Sequence, residues 1–196
     1  REGERRELQL RLVKVHPAAL LLDLQPRAPL VALQRHQQLV RDRLLLPELG
    51  GFFVDELLGD ATRSIDRGAE GVGLYRTEIH FMSSDTFPTE EEQRVIYRAH
   101  LEAFSPRPVT MRTLDIGGDK SLSYFPIEED NPFLGWRGLR VSLDHPEIFI
   151  AQIRAMIRAS EGLEARLRIM LPMVSSVAQV DAAKRLIDQC YQEVAE

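Results

Sequence analysis

Two arginines stand in matching local settings, Arg76 in Gly73-Leu74-Tyr75-Arg76-Thr77-Glu78 and Arg112 in Met111-Arg112-Thr113-Leu114-Asp115-Ile116-Gly117-Gly118-Asp119-Lys120. Each follows a short apolar run of strand length and opens into a polar or glycine-rich loop. A guanidinium offers five donors in a planar fork suited to phosphate or carboxylate, so two converging on one pocket would form an anion site. The competing reading pairs each arginine with a carboxylate nearby in sequence, Glu78 or Asp115. Spacing alone leaves both open.

Other motifs carry less chemistry. The paired glycines of Gly117-Gly118-Asp119-Lys120 would let backbone amides approach an anion, with Lys120 adding a point charge. The spacing is not that of a Walker loop, and a tight turn with a solvated lysine competes. In Asn131-Pro132-Phe133-Leu134-Gly135-Trp136-Arg137-Gly138, Phe133 and Trp136 read as an apolar anchor, and Arg137 either reaches the same pocket or, the preferred reading, buttresses it. His80, His100 and His145 lack any arrangement suited to nucleophilic catalysis, and no pair of carboxylates identifies a metal site. His16 and His36 have no acid or cysteine at ligand spacing and read as solvated or core side chains. Cys190 falls on the apolar face of a helix and reads as a small buried hydrophobe.

The elements that must position these residues alternate. Val72 to Tyr75, Val109 to Leu114 and Leu167 to Met173 have strand length and near-continuous apolarity. Thr89 and Glu92 have capping-box spacing, followed by Ile96, Ala99, His100 and Ala103 at helical spacing. Asp144 and Glu147 repeat that pattern around Pro146, and Phe149, Ile153, Met156 and Ile157 form a stripe before Gly162 ends the helix. A last helix begins near Ser175 or Ser176 and carries Val180, Ala183, Ile187, Cys190 and Val194 on one face. Strand and helix in alternation predict an α/β fold with a parallel sheet, either a barrel or a doubly wound sheet. Right-handed crossovers then gather the strand C-termini on the face where such folds bind ligands. Arg76 and Arg112 fall at those ends, whereas Arg168 opens its strand and is expected at the opposite rim.

With 196 residues the chain can bury a real core, and length suggests one domain or a little more. A formal charge of −5 leaves no basic surface for nucleic acid, so anion recognition must come from local cationic pockets. No apolar stretch approaches a membrane span. One cysteine excludes an intrachain disulfide framework and suits a reducing compartment. The start has neither a signal-peptide pattern nor an initiating Met, so a cytoplasmic chain cut from a longer one is expected. Up to about Leu57 the sequence is rich in leucine and arginine and interrupted by Pro17, Pro26, Pro29 and Pro47. No role is assigned to that stretch.

The runs Gly68 to Glu78, Phe87 to Gln93, Arg112 to Lys120 and Asn131 to Gly138 together resemble Enzyme I, the phosphoenolpyruvate–protein phosphotransferase family of the bacterial phosphotransferase system. Asp144 to Phe149 and Leu171-Pro172-Met173-Val174 look most like its nitrogen-related branch. The resemblance implies a (β/α)8 TIM-type barrel, incomplete here, with about strands two to four recognisable. Residues 58–196 would be its N-terminal half and residues 1–57 an unassigned linker region. It implies that Arg76 and Arg112 hold the phosphoryl group of phosphoenolpyruvate and that Arg137, a third arginine at the rim, belongs to the same phosphoenolpyruvate-binding set. Glu78, Asp115, Gly117, Gly118, Asp119 and Lys120 would form the supporting loops. It further implies Mg²⁺, a phosphorylated histidine on another domain, a histidine-bearing carrier protein as acceptor, a role in sugar transport and a homodimeric parent. Metal ligands, enolate acid and acceptor histidine would lie outside these residues, leaving the chain itself inactive. The alternatives are a non-catalytic half-barrel serving binding or dimerisation, and a dikinase or phosphoenolpyruvate synthase type of enzyme.

Overall fold

The computed structural model describes residues 9–16, 19–25, 52–55 and 59–195, except 119, 121, 132 and 165, with side chains from Ala61 onward. Six strands, β1 (Gln9–His16), β2 (Ala19–Gln25), β3 (Phe52–Asp55), β4 (Gly71–Arg76), β5 (Val109–Arg112) and β6 (Leu167–Pro172), form one sheet in the order β1-β2-β6-β5-β4-β3. The strands β3, β4, β5 and β6 are parallel, and β2 joins β6 antiparallel. The helices are α1 (Gly59–Asp66), α2 (Glu78–Met82), α3 (Glu90–Phe104), α4 (Leu139–Asp144), α5 (Pro146–Ser160) and α6 (Val177–Ala195).

Apolar alternation on the parallel strands explains which side the helices cover. Val109 and Met111 of β5 and Leu167, Ile169 and Leu171 of β6 are buried in one cluster. That cluster also holds Tyr97, Leu101 and Phe104 of α3, Phe149, Ile153 and Met156 of α5, and Ala183, Ile187 and Cys190 of α6. The intervening strand residues, Thr110 and Arg112 on β5 and Arg168 and Met170 on β6, therefore share the other face. Helices from α1, α3, α5 and α6 meet one core while the parallel strands follow chain order. Among the described residues such winding is single, which is consistent with a partial α/β barrel. A second, smaller cluster of Phe81, Leu114, Ile116, Leu122 and Val141 lies under the loop that follows β5.

Several sequence expectations change at the level of packing. The fully buried face of α3 is Gln93, Tyr97, His100, Leu101 and Phe104; of the expected stripe, His100 is buried and Ile96 and Ala103 pack partly buried against the core. Aromatic and amide side chains near the sheet outcompete the smaller alanines for burial. Asp144 does not cap α5. It ends α4 and accepts a hydrogen bond from Trp136 Nε1 at 2.6 Å, and His145 takes the N-cap position without a side-chain cap. Ser176 does bond to the amide of Gln179 at 3.3 Å, at the start of α6. The stretch before Leu57, to which sequence patterning assigned nothing, contributes the β1–β2 hairpin and a fourth parallel strand, β3. The histidines His16 and His36 lie outside the described side chains.

The capping box at α3 forms as its spacing predicts. Thr89 Oγ1 accepts from the Glu92 amide at 3.3 Å, and the Glu92 carboxylate accepts from the Thr89 amide at 2.8 Å. The side chain of Glu92 consequently has its pKa lowered, first by the Thr89 backbone bond and then by the Thr89 hydroxyl. Thr89→Ala should lower unfolding stability by about 1 kcal/mol in urea titration. An unchanged midpoint would mean that the helix start is held by packing alone.

Candidate functional site

Parallel pairing brings Arg76 and Arg112 level. The two are register partners at the C-terminal ends of β4 and β5, on strands about 4.8 Å apart. Residues in register on adjacent strands point to the same side of a sheet, so both arginines leave the same end and the same face. Arg168 shares that face but stands nearer the other end of β6, in register with Thr110 and Asp23. It is two residues from Met170, which is level with Arg112. The expectation of an opposite rim holds for strand direction, not for the side of the sheet.

The alternative reading of Arg112 is also realised. Its guanidinium pairs with Glu78 through one terminal nitrogen and with Asp115 Oδ2 through the other at 3.2 Å, while its Nε is buried without a hydrogen-bond partner. Asp115 Oδ1 in turn receives Arg137 Nη2 at 3.2 Å and Nε at 3.3 Å. Glu78 receives Lys120 Nζ as well. Lys120, Glu78, Arg112, Asp115 and Arg137 thus form one alternating chain of charges. Glu78 is 1% exposed, Asp115 5% and Arg137 8%. Carboxylates this deep persist only with cations against them, so the network holds four loops and strand ends together. Arg76 stands level with Arg112 beside this network.

The glycine loop folds back on itself. Gly117 N–H donates to Lys120 O at 3.0 Å and Lys120 N–H returns to Gly117 O at 3.2 Å. It is a closed tight turn, and its lysine is paired with Glu78 rather than solvated. Asp119 lies outside the described residues. Glycine is required at position 117 by a close approach: φ is +121°, and a Cβ there would lie 2.6 Å from Arg137 Cβ. At Gly138, φ is +58° and a Cβ would meet Met173 Cγ at 3.0 Å and Asp115 Oδ1 at 3.1 Å. The two glycines let the Arg137 segment cross the loop closely enough to reach Asp115. Arg137 there donates to Asp115. Trp136 anchors its segment against Phe125 and His145, but Phe133 is 62% exposed and anchors nothing.

Residues 56–196 match the family model of the PEP-utilising enzyme, PEP-binding domain. The chain belongs to that family. It is 55% identical over 127 residues to "Phosphoenolpyruvate-dependent phosphotransferase system" of Salmonella typhimurium, covering 65% of this chain and 17% of the relative. It is 52% identical over 126 residues to "Phosphoenolpyruvate-protein phosphotransferase" of Staphylococcus carnosus, covering 64% and 22%. A "Multiphosphoryl transfer protein" of Rhodobacter capsulatus is 44% identical over 139 residues, covering 70% and 16%. The chain spans about a fifth of the length of these curated relatives.

Within this domain, the sequence reading missed a buried polar spine behind the arginines. It joins Thr77, Gln152, Tyr97 and Gln93. The available signal was Gln152 itself, an amide set inside the apolar stripe Phe149, Ile153 and Met156. Beside the spine, Tyr75 OH meets His80 Nε2, and the Tyr75 ring stacks obliquely on His100 at 4.2 Å. Burial, then the neighbouring His100, holds the His80 pKa below its ordinary value. Both imidazole rings lie beside Tyr75, a core residue of β4. Cys190 is buried, and burial pushes its thiol up to about 11, consistent with a packing role.

The dependence of the charge chain on backbone approach is directly testable. Gly117→Ala should destabilise the fold by about 2 kcal/mol or more, since both the positive φ and the Arg137 contact resist a methyl group. Gly162→Ala, at φ +69° with open space around it, isolates the conformational contribution. Equal losses in thermal melts for the two variants would mean that the approach of Arg137 is not what position 117 requires.

Proposed function

We propose that this chain is a phosphoenolpyruvate-binding portion of a phosphoenolpyruvate–protein phosphotransferase, built on the wall of a (β/α)8 barrel. The observation that carries the reading is the level pairing of Arg76 and Arg112 at the C-terminal ends of adjacent parallel strands. Sequential parallel strands with their helices on one side support a barrel wall, whose other face would line the interior. The names of the relatives support the reaction class, and the transfer to a histidine and then to a carrier protein is proposed for the longer protein. A homodimeric parent, a cytoplasmic location and a role in sugar transport are proposed with it. Among the described residues no helix is long and apolar enough to cross a membrane.

Phosphoryl transfer asks a protein mainly to position the phosphate and neutralise its charge. Arg112 suits this because Glu78 and Asp115 already hold its guanidinium at both ends, so little ordering remains when an anion arrives. Arg76 stands one strand away, within the span of a single phosphate-bearing ligand. Lys120 and Arg137 hold the two carboxylates, so that Arg112 is not their sole counter-ion. Magnesium does not fit the described residues. The described residues contain no cluster of three His, Cys, Asp or Glu side chains able to hold a metal ion. Glu78 and Asp115 are committed to Arg112, Lys120 and Arg137. Ligands for the metal are proposed to lie outside this chain.

Titration calorimetry of the chain with phosphoenolpyruvate should show binding that Arg112→Ala weakens at least tenfold, with Arg168→Ala within twofold of the parent. Far-UV circular dichroism of Arg112→Ala should remain native, since Lys120 still faces Glu78 and Arg137 still faces Asp115. In a complete phosphotransferase the same loss should cost about 3 kcal/mol or more, roughly a hundredfold in rate. Equal losses at both positions would place the binding face elsewhere.

Incubated with labelled phosphoenolpyruvate and Mg²⁺, the chain alone should neither retain label nor release pyruvate. Stable label on one of its histidines, or steady pyruvate production, would show a catalytic capacity beyond that assigned to these residues.

A further inference from the structure

One buried side chain links the ends of both arginine strands. Gln152, on α5, is 0% exposed. Its Oε1 accepts from the Leu114 amide at 2.8 Å, just beyond β5. Its Nε2 donates to Thr77 Oγ1 at 3.1 Å, just beyond β4, and to Tyr97 OH on α3 at 3.1 Å. Thr77 Oγ1 then donates to the Arg112 carbonyl at 2.8 Å. Tyr97 OH donates to Gln93 Oε1 at 3.1 Å, and Gln93 Nε2 ends the spine on Pro88 O at 2.8 Å.

The donors and acceptors determine the amide's orientation. Only an oxygen can face the Leu114 N–H, so the NH2 group must face the two hydroxyls, which accept from it and donate onward. Burial pushes the Tyr97 pKa well above its ordinary value and keeps that hydroxyl protonated. Every polar atom of Gln152 is thus matched within the buried core, where misplacing any partner leaves an unsatisfied group. The consequence reaches the surface through the backbone. Thr77 follows Arg76 directly and bonds the carbonyl of Arg112, while Leu114 lies two residues beyond Arg112.

We propose that Gln152 is a positioning residue for the anion site, fixing the separation of the Arg76 and Arg112 backbones through Thr77 and Leu114. It touches no ligand itself. The proposal rests on the reading of the two arginines as a phosphate- and carboxylate-binding pair, and its test separates the two ideas.

Four variants of the full chain discriminate. Gln152→Met keeps volume and removes all three bonds, and Thr77→Val removes the hydroxyl that links Gln152 to Arg112. Thr77→Ser keeps that hydroxyl. Tyr97→Phe removes a bond on the α3 side and leaves the Thr77 and Leu114 links intact. Two readouts are taken at a temperature where circular dichroism shows every variant folded. The first is the arginine Nε–Hε spectrum of the ligand-free chain. Gln152→Met and Thr77→Val should move the Arg76 and Arg112 resonances and spare Arg168, whereas Thr77→Ser and Tyr97→Phe should leave all three in place. The second is phosphoenolpyruvate affinity, which the first two variants should weaken about tenfold and the last two by less than twofold.

Unmoved arginine resonances in folded Gln152→Met and Thr77→Val would overturn the positioning role. So would a loss of affinity in Tyr97→Phe equal to theirs, since that is the mark of general destabilisation. Moved resonances in a parent chain that binds no phosphoenolpyruvate would uphold the positioning of the arginines and overturn the binding reading on which the proposal rests.

Discussion

Two carboxylates buried almost completely, Glu78 and Asp115, set the conditions that the surrounding structure has to meet. An isolated charge at such depth is untenable, so cations must come to it from wherever the chain can supply them. Arg112 comes from a strand end, Lys120 from a tight turn and Arg137 from a segment that crosses that turn. Those approaches explain the glycines at 117 and 138 and why Trp136 is seated against Phe125 and His145. The network resembles a brace more than a set of ligands, and it stands beside Arg76.

Binding and stability are consequently entangled at Arg112. Its terminal nitrogens are engaged by carboxylates, yet the same contacts prevent the long side chain from exploring other rotamers. A preordered guanidinium sacrifices some donor capacity for orientation, which suits a reaction that depends on placing charge. The polar spine through Gln152 performs a similar task one layer deeper, on backbone rather than side chain. Two layers of support, one ionic and one neutral, stand behind a pair of residues at the sheet's rim.

The sheet carries a further constraint along its edges. The β1–β2 hairpin joins β6 antiparallel, next to a run of parallel strands. An exposed parallel edge offers unpaired backbone donors and acceptors, and an added strand satisfies them. Family membership concerns residues 56–196, so the hairpin belongs to a part of the chain that the family model does not describe.

Strands β4, β5 and β6, the capping box of α3, the start of α6 and the placement of Arg76 and Arg112 at strand ends were legible in the sequence. Each depends on residues a few positions apart, whose periodicity and capping chemistry act locally. Motif order also identified the family. Tertiary structure decided the rest, because the partners are distant in the chain. Glu78 meets Arg112 and Lys120, which are 34 and 42 residues away, and Gln152 meets Thr77 at a separation of 75. Sequence spacing shows which charges are available but not which of them share a buried volume. That choice follows from parallel register and from burial, which favours charges and amides that meet a partner.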